Sequence, residues 1–495
     1  MERWFFIGIK GVGMSALAIM AQEAGYQVSG ADSQEKFITD TVLEAAKIPI
    51  LAWENQTQED WLSQWNDPAE RPNLVVVGAA FKLDHPLVLS ALELDIPVKY
   101  YSEALAELAQ SKRVIAVAGT HGKTTTTAMI ARSLVALEQA PGYIIGTSQI
   151  PGLEANGAYG QGEWLVIEAD DYAKSPTDRR AKFFDLNPEI LLINNIEHDH
   201  PDIYPTLADC QAAFSRLIAR LRPGATLITN LELSTTVEAV LAGLEARQTA
   251  DIQLICLVSE PPTAELAARW SPYQPSFWQL KSDLDQPLNF SLVPLSGEKD
   301  SIEFSLRLPG QYNQANASLA YLTLRQLFTK AQSQSELISR LPAVVAEFQG
   351  VKRRFEYLGQ RQGTWIIDDY AHHPTACRLT IEAARQAFPK ARLIVAFQAH
   401  TFSRTEALLD EFSRAFDGTD LLVVTDIFAS ARETRGQLTT ADFVAVLKER
   451  SQAEVVYRSM AELQAYLESQ LRPDQVLITM GAGQIYQVAE AILHG

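Results

Sequence analysis

Residues 114–130, VIAVAGTHGKTTTTAMI, constrain the chain more than any other stretch. An apolar run at 114–117 leads into Gly119, Thr120, His121, Gly122, Lys123, Thr124 and Thr125, and then into a helical pattern. That order predicts a buried strand, a tight glycine turn and a helix N-terminus, whose unpaired N–H groups and positive dipole end favour phosphate. Lys123 offers a mobile charge for outer phosphates, and Thr124 a hydroxyl where a phosphate-bound Mg²⁺ needs a ligand. The full phosphate-loop pattern has a glycine six residues before its lysine. Here Val117 stands there, leaving the shorter GxxGKT.

With 495 residues and 47% hydrophobic content, the chain can bury several cores, and its length predicts two to four domains. Sixty acidic residues against 42 basic give a net charge of −18, a surface that repels nucleic acid and anionic membranes. Cys210, Cys256 and Cys377 follow no metal spacing and fit a reducing compartment. No signal peptide or membrane span is visible, so the expectation is a cytoplasmic protein; a monomer or weak homodimer is the expected assembly.

The chain opens on a strongly apolar strand, then Gly8, Gly11 and Gly13 in GIKGVGMSALA, a helix to about residue 24, and a second strand at 26–29 with Asp32 beyond its end. This reads as a mononucleotide-binding α/β unit: the loop admits a diphosphate and the acid reaches a ribose. The spacing is GxxGxG, so no nicotinamide cofactor is inferred. A strand at 74–78 and a helix or linker at 101–109 complete a first domain, 1–108.

The second domain, 109–338, adds strands at 164–167, ending in Glu168, Asp170 and Asp171, and at 190–193, ending in Asn194, Asn195, Glu197, His198, Asp199 and His200. Ligands bind beyond the carboxyl ends of such strands. Three strands thus aim a lysine, carboxylates and imidazoles at one region, which is chemistry for Mg²⁺ and nucleotide phosphates: Glu168 faces Thr124 as an oxygen ligand, and His200, with His198 as its rival, suits a second metal. Residues 250–308 read as hairpins added at the edge of this domain. A long amphipathic helix then carries Asn313 and Asn316 on one face, where a carboxamide can pair with adenine or cap the helix.

The third domain, 339–495, opens with Lys352, Arg353 and Arg354, placed to clamp a triphosphate. Strands at 365–367, 393–397, 421–425 and 476–479 end in DDYAHHP, QAHTFSRT, DIFASARE and MGAGQI, describing a second open parallel sheet with a site along its edge. The fold class is α/β in three domains: Rossmann-like, a central ATPase-like phosphate-loop domain, and Rossmann-like again.

Taken in order, GIKGVGMSALA, AVAGTHGKTTTT, IEADDY, NNIEHDHPD, GQYNQANA, FQGVKRRFE, DDYAHHPT, FQAHTFSRT and MGAGQ resemble the Mur ligase family of peptidoglycan synthesis across essentially the whole chain. The resemblance implies domains for the UDP-sugar, for ATP and for the incoming amine, and the ATP-dependent joining of that amine to the lactyl carboxylate of UDP-N-acetylmuramate through an acyl phosphate. By position it implies Lys123 and the loop amides on the β- and γ-phosphates, Thr124 and Glu168 on one Mg²⁺, and His200 at a second. It further implies Asn316 on adenine, Arg354 or Arg353 on the γ-phosphate, Asp369 or Asp368 at the ribose or the hinge beside it, and His400 and Arg404 at the amine. FQAHTFSRT is similar to alanine-adding members, whereas the segment containing TDRRAKF is similar to members that add a murein tripeptide; because the third domain receives the amine, L-alanine is the expected amine and the tripeptide the alternative. Two positions depart from the family pattern: Thr401, where several members have arginine, and Gln484, where an acid is commoner. A regulatory nucleotide-binding protein without ligase activity would need no third sheet rich in His and Arg.

Overall fold

Apolar runs that do not alternate become strands covered on both faces. Arg3–Ile7 and Leu74–Val77 are adjacent and parallel, and Phe6, Ile7, Val76 and Val77 have no exposed surface. In this computed structural model, which describes all residues except 248, 297–300, 330–334 and 430–437, they lie at the centre of a five-stranded parallel sheet. Its order is Ile50–Ala52, Gln27–Asp32, Arg3–Ile7, Leu74–Val77, Val98–Tyr100. The first glycine loop turns directly into the helix Val12–Glu23.

A ten-stranded sheet follows, with Arg113–Ala118 between Ile190–Ile193 and Trp164–Glu168, all three parallel. The three motif strands therefore end side by side. At the far edge Ser276–Ser282, Asn289–Pro294 and Ile302–Ser305 form the expected antiparallel hairpins. The helix Gln311–Thr329 covers one face and packs on Lys123–Ala136.

The last sheet has six strands in the order Glu356–Arg361, Thr364–Asp369, Gln475–Met480, Arg392–Phe397, Leu421–Val424, Glu454–Tyr457; only the first pair is antiparallel. The four strands expected here are its centre, flanked by two edge strands, Glu356–Arg361 and Glu454–Tyr457, that are only partly buried. Of the segment DIFASARE, residues 430–433 lie outside the described residues.

Candidate functional site

The phosphate loop closes because two glycines take conformations a side chain would block. Gly119 has φ +130° and Gly122 +82°, and a Cβ at Gly122 would stand 2.5 Å from Asn316 Oδ1 and 2.8 Å from Asn194 Nδ2. The neighbouring strand end straps the loop down: Thr120 N donates to Asn195 O (2.9 Å), His121 N to Asn195 Oδ1 (2.8 Å) and Glu197 N to Thr120 Oγ1 (2.8 Å). The helix Lys123–Ala136 starts there, with Thr124 and Thr125 buried in its first turn. Lys123 Nζ folds back, donating to Gly119 O (2.6 Å) and to Asp171 Oδ1 (3.0 Å). Burial alone would lower the Lys123 pKa, but Asp171, Asp170 and Glu168 outweigh it and raise it. Asp171 is 1% exposed and its Oδ2 has no partner, so the lysine is the main compensation for a buried carboxylate.

Glu168 lies across the strand pair from Thr124. Its Oε1 accepts from Thr124 Oγ1 at 2.8 Å and its Oε2 from Gly146 N at 2.6 Å. Neighbouring ligands on an octahedral Mg²⁺ with bonds near 2.05 Å stand about 2.9 Å apart, so this oxygen pair fits that ion in type and spacing. Arg354 Nη2 reaches Thr124 Oγ1 at 3.3 Å. Arg353 goes elsewhere: at φ +62° it turns its guanidinium onto Asp368 (3.0 Å) and Gly481 O (2.5 Å), over Tyr370 and Tyr486. Of the two arginines, Arg354 faces the loop. Asp369 accepts from Phe355 N (2.8 Å) and Ala371 N (2.7 Å), which ties the segment after Arg354 to the third sheet.

His200 takes φ +55°, a conformation uncommon outside glycine that clusters at functional sites. Asp199 Oδ1 accepts from His200 N (2.7 Å) and from Arg404 Nε (2.8 Å). Burial would raise the Asp199 pKa, but His200 and Arg404 hold it well below the usual carboxylate range. The remaining nitrogens of Arg404 lie 3.3 Å from His400 Nδ1 and 3.3 Å from His200 Nδ1. Residues 199, 200, 400 and 404 thus form one cluster between the central and last sheets. His198 is turned away, its Nε2 2.9 Å from Tyr204 O.

A second junction joins the same sheets. His121 Nε2 stands 3.1 Å from Glu197 Oε2, and the His121 and His373 rings are 4.6 Å apart. Thr375 donates to Glu197 Oε1 (2.9 Å) through its hydroxyl and to His373 Nδ1 (3.2 Å) through its amide, capping the helix Pro374–Ala387. His373 Nδ1 is therefore an acceptor, its proton sits on Nε2 facing His198 O (3.2 Å), and neither nitrogen is free for a metal. His121, Glu197 and His373 lie close enough to hold an ion, but both His373 nitrogens are engaged, while His121 Nε2 is buried beside Glu197 without a hydrogen bond. Burial and His121 push the His373 pKa down to about 4. The unfolded chain takes up this proton near pH 6.5, so its stability contribution is complete above that pH and is lost as pH falls towards 4. His373→Asn keeps a capping acceptor but not the titration, and should shrink the difference between unfolding free energies at pH 7 and pH 4.5 by at most about 2 kcal/mol. Urea titrations at the two pH values check this; an unchanged difference would assign the acid sensitivity elsewhere.

Asn316 projects from its helix to Asn194, whose Nδ2 lies 2.9 Å from Asn316 Oδ1 and 2.9 Å from Thr126 Oγ1. Asn316 Nδ2 and Asn194 Oδ1 are buried without partners, an unused donor and acceptor beside the loop. Asn313 donates to Pro309 O (2.7 Å) and serves its own helix start. Asn194 was legible only as one of several polar residues at a strand end; its bridge to position 316 left no local signal.

In the first unit, Gly11 closes the turn by donating to Gly8 O (3.2 Å), and a Cβ at Gly13 would meet the Tyr101 ring at 3.3 Å. Asp32 accepts from Lys10 N (2.7 Å) and Ser33 N (2.8 Å) and lines a cavity of about 310 Å³ with Lys10, Gln34 and Asp40.

Comparison with known proteins bears on this arrangement as a whole. Residues 5–113 match the Mur ligase family, catalytic domain; residues 117–324 match the Mur ligase middle domain; and residues 353–483 match the Mur ligase, glutamate ligase domain. The UDP-N-acetylmuramate–L-alanine ligase of Desulfitobacterium hafniense is 35% identical over 99% of this chain and 98% of its own. The chain belongs to the Mur ligase family. A second relative, the UDP-N-acetylmuramate–L-alanine ligase of Roseiflexus sp., is 32% identical over 99% of this chain and 98% of its own. Among solved Mur ligases, the UDP-N-acetylmuramate-alanine ligase of Thermotoga maritima superposes with a TM-score of 0.74 at 23% identity, covering 100% of this chain and 99% of that one, which shows the shared three-domain α/β fold. As a Mur ligase the chain is a nucleotide-using enzyme of the ligase class. No described helix is long and apolar enough to cross a membrane.

Proposed function

We propose that this Mur ligase joins L-alanine to the lactyl carboxylate of UDP-N-acetylmuramate at the cost of one ATP, in three domains divided near residues 108 and 338. One observation carries the reading: Lys123, Thr124, Glu168 and Arg354 converge on the phosphate loop, while Asp199, His200, His400 and Arg404 gather next to it from two different sheets. The first group suits phosphoryl transfer and the second suits an amino acid. Relatives covering almost the whole chain carry the alanine-ligase name.

A carboxylate is a poor electrophile for an amine. In this reading a lactyl oxygen attacks the γ-phosphorus of ATP, the bond from that phosphorus to the bridging oxygen breaks, and ADP leaves an acyl phosphate. Lys123 and Arg354 neutralise the charge that spreads over the transferring phosphoryl oxygens. Thr124 and Glu168 would hold Mg²⁺, with His200 at a second ion; bound Mg²⁺ supplies further neutralisation of phosphate charge. The neutral amine of L-alanine then attacks the acyl carbon, the bond from that carbon to the phosphate oxygen breaks, and phosphate departs with one of the original carboxylate oxygens and the proton lost by the amine. Asn316 and Asn194 offer their unpaired groups to adenine, and Gly11, Gly13 and Asp32 face the UDP moiety. Three buried free cysteines fit action in the reducing cytoplasm, and the active form is proposed to be a monomer or weak homodimer.

UDP-N-acetylmuramate labelled with ¹⁸O in its lactyl carboxylate tests the route: one labelled oxygen should appear in the released phosphate for each amide formed, and unlabelled phosphate would contradict it. Glu168→Gln keeps the hydrogen bond to Thr124 but removes the anionic ligand, and should raise the Mg²⁺ concentration giving half-maximal activity about tenfold or more. An unchanged Mg²⁺ titration would leave Glu168 as a partner of Thr124 and Gly146 alone.

A further inference from the structure

The segment TDRRAKF, which differs in its resemblance from the rest of the chain, delivers Lys182 to a place that no step above uses. Lys182 Nζ lies 2.5 Å from Asp170 Oδ2, adjoining Asp171, which holds Lys123. Two neighbouring carboxylates thus each hold one lysine at the same strand end. On one side Lys182 stands 5.9 Å from the ring of Tyr101, the residue against which Gly13 of the first glycine loop packs. On the other it stands 5.7 Å from the ring of Tyr172, whose edge meets His200 at 4.9 Å. Lys182 therefore lies between the loop that would take the sugar diphosphate and the loop that would take ATP.

The ion pair is not needed to shape its own segment. Backbone bonds from Lys174 N to Arg180 O, Lys182 N to Tyr172 O and Phe183 N to Asp170 O already close residues 170–183. The lysine side chain is 17% exposed and Asp170 38%, so the ammonium can exchange partners without stranding a buried charge.

We infer that Lys182 is a positioning residue for the acceptor, binding the lactyl carboxylate of the sugar nucleotide before it is phosphorylated. Asp170 holds the lysine until that carboxylate arrives, and the charge-assisted bond that replaces the ion pair sets the carboxylate beside Lys123. The inference rests on the function proposed above. It makes recognition of the acceptor depend on a residue of the central unit, in addition to the glycine loop.

Calorimetric titration of the full chain, with Mg²⁺ and a non-hydrolysable ATP analogue present throughout, separates the possibilities. UDP-N-acetylmuramate is compared with UDP-N-acetylglucosamine, which lacks the lactyl group. Lys182→Met should weaken binding of the first about tenfold or more, and of the second by less than about twofold, while Lys182→Arg keeps most of the difference between the two ligands. Lys182→Gln carries the same expectation if the methionine variant does not fold. Equal losses for both ligands, or none for either, would overturn the inference and leave Lys182 as a structural partner of Asp170. A wild-type protein that binds neither sugar nucleotide would overturn the proposed function along with it.

Discussion

Replacing Lys123 by alanine should lower turnover at saturating ATP by at least about 100-fold, the usual scale for losing a charge aimed at a transferring phosphoryl group. It should also destabilise the protein, because Lys123 lies against Asp171, a carboxylate 1% exposed whose other oxygen has no partner. Removing one member of a buried pair costs about 3 kcal/mol or more. The two effects have different origins and can be separated. In the double variant Lys123→Ala, Asp171→Asn no charge is stranded, so most of the lost stability should return while turnover stays low. Chemical denaturation and initial rates on wild type, single and double variants check this. Recovery of turnover together with stability would mean that Lys123 serves only to neutralise Asp171.

The second large effect falls on Arg404, which is 4% exposed. Asp199 takes its Nε, fixing the guanidinium plane so that the two Nη groups are directed at His400 and His200. A planar fork held this way matches the α-carboxylate of an amino acid, whereas an ammonium in its place is a point charge. Arg404→Lys should therefore raise the KM for L-alanine about tenfold or more and those for ATP and UDP-N-acetylmuramate by less than about threefold. Arg404→Ala should do the same more strongly and also loosen the contact between the central and last sheets, since buried Asp199 would lose its guanidinium and keep only His200. Thr401 caps the helix Phe402–Ala407 at the position after His400, so in the proposed function Arg404 would serve this recognition without an arginine at position 401. A uniform rise in all three KM values would instead make Arg404 a clamp between sheets.

Much of this arrangement could be read from the chain because its central strands are apolar throughout and end abruptly in polar motif loops. Arg113–Ala118, Trp164–Glu168 and Ile190–Ile193 signal themselves by burial on both faces, and Glu168 meets Thr124 because their strands are neighbours. Edge strands send no such signal. Ile50–Ala52, Val98–Tyr100 and Glu454–Tyr457 are short and half-exposed, so their composition does not distinguish them from loop. Side-chain partnerships across long separations were hidden for another reason. Asp199 with Arg404, and Asn194 with Asn316, depend on which sheet ends face each other, and local periodicity carries no information about that. Arg353, at φ +62°, and Arg354 both lie over the Tyr370 ring yet take different polar partners, Asp368 and Gly481 for the first and Thr124 for the second, which the sequence run alone does not distinguish. Lys182 was hidden in a loop whose backbone folds it onto Asp170.

Phosphate release measured on one preparation, with ATP, UDP-N-acetylmuramate and either L-alanine or the murein tripeptide, tests the central claim most directly. Release should require both the sugar nucleotide and the amine, with kcat/KM higher for L-alanine. A tripeptide preference of about tenfold or more, equivalent to about 1.4 kcal/mol, or release that depends on neither substrate, would contradict it.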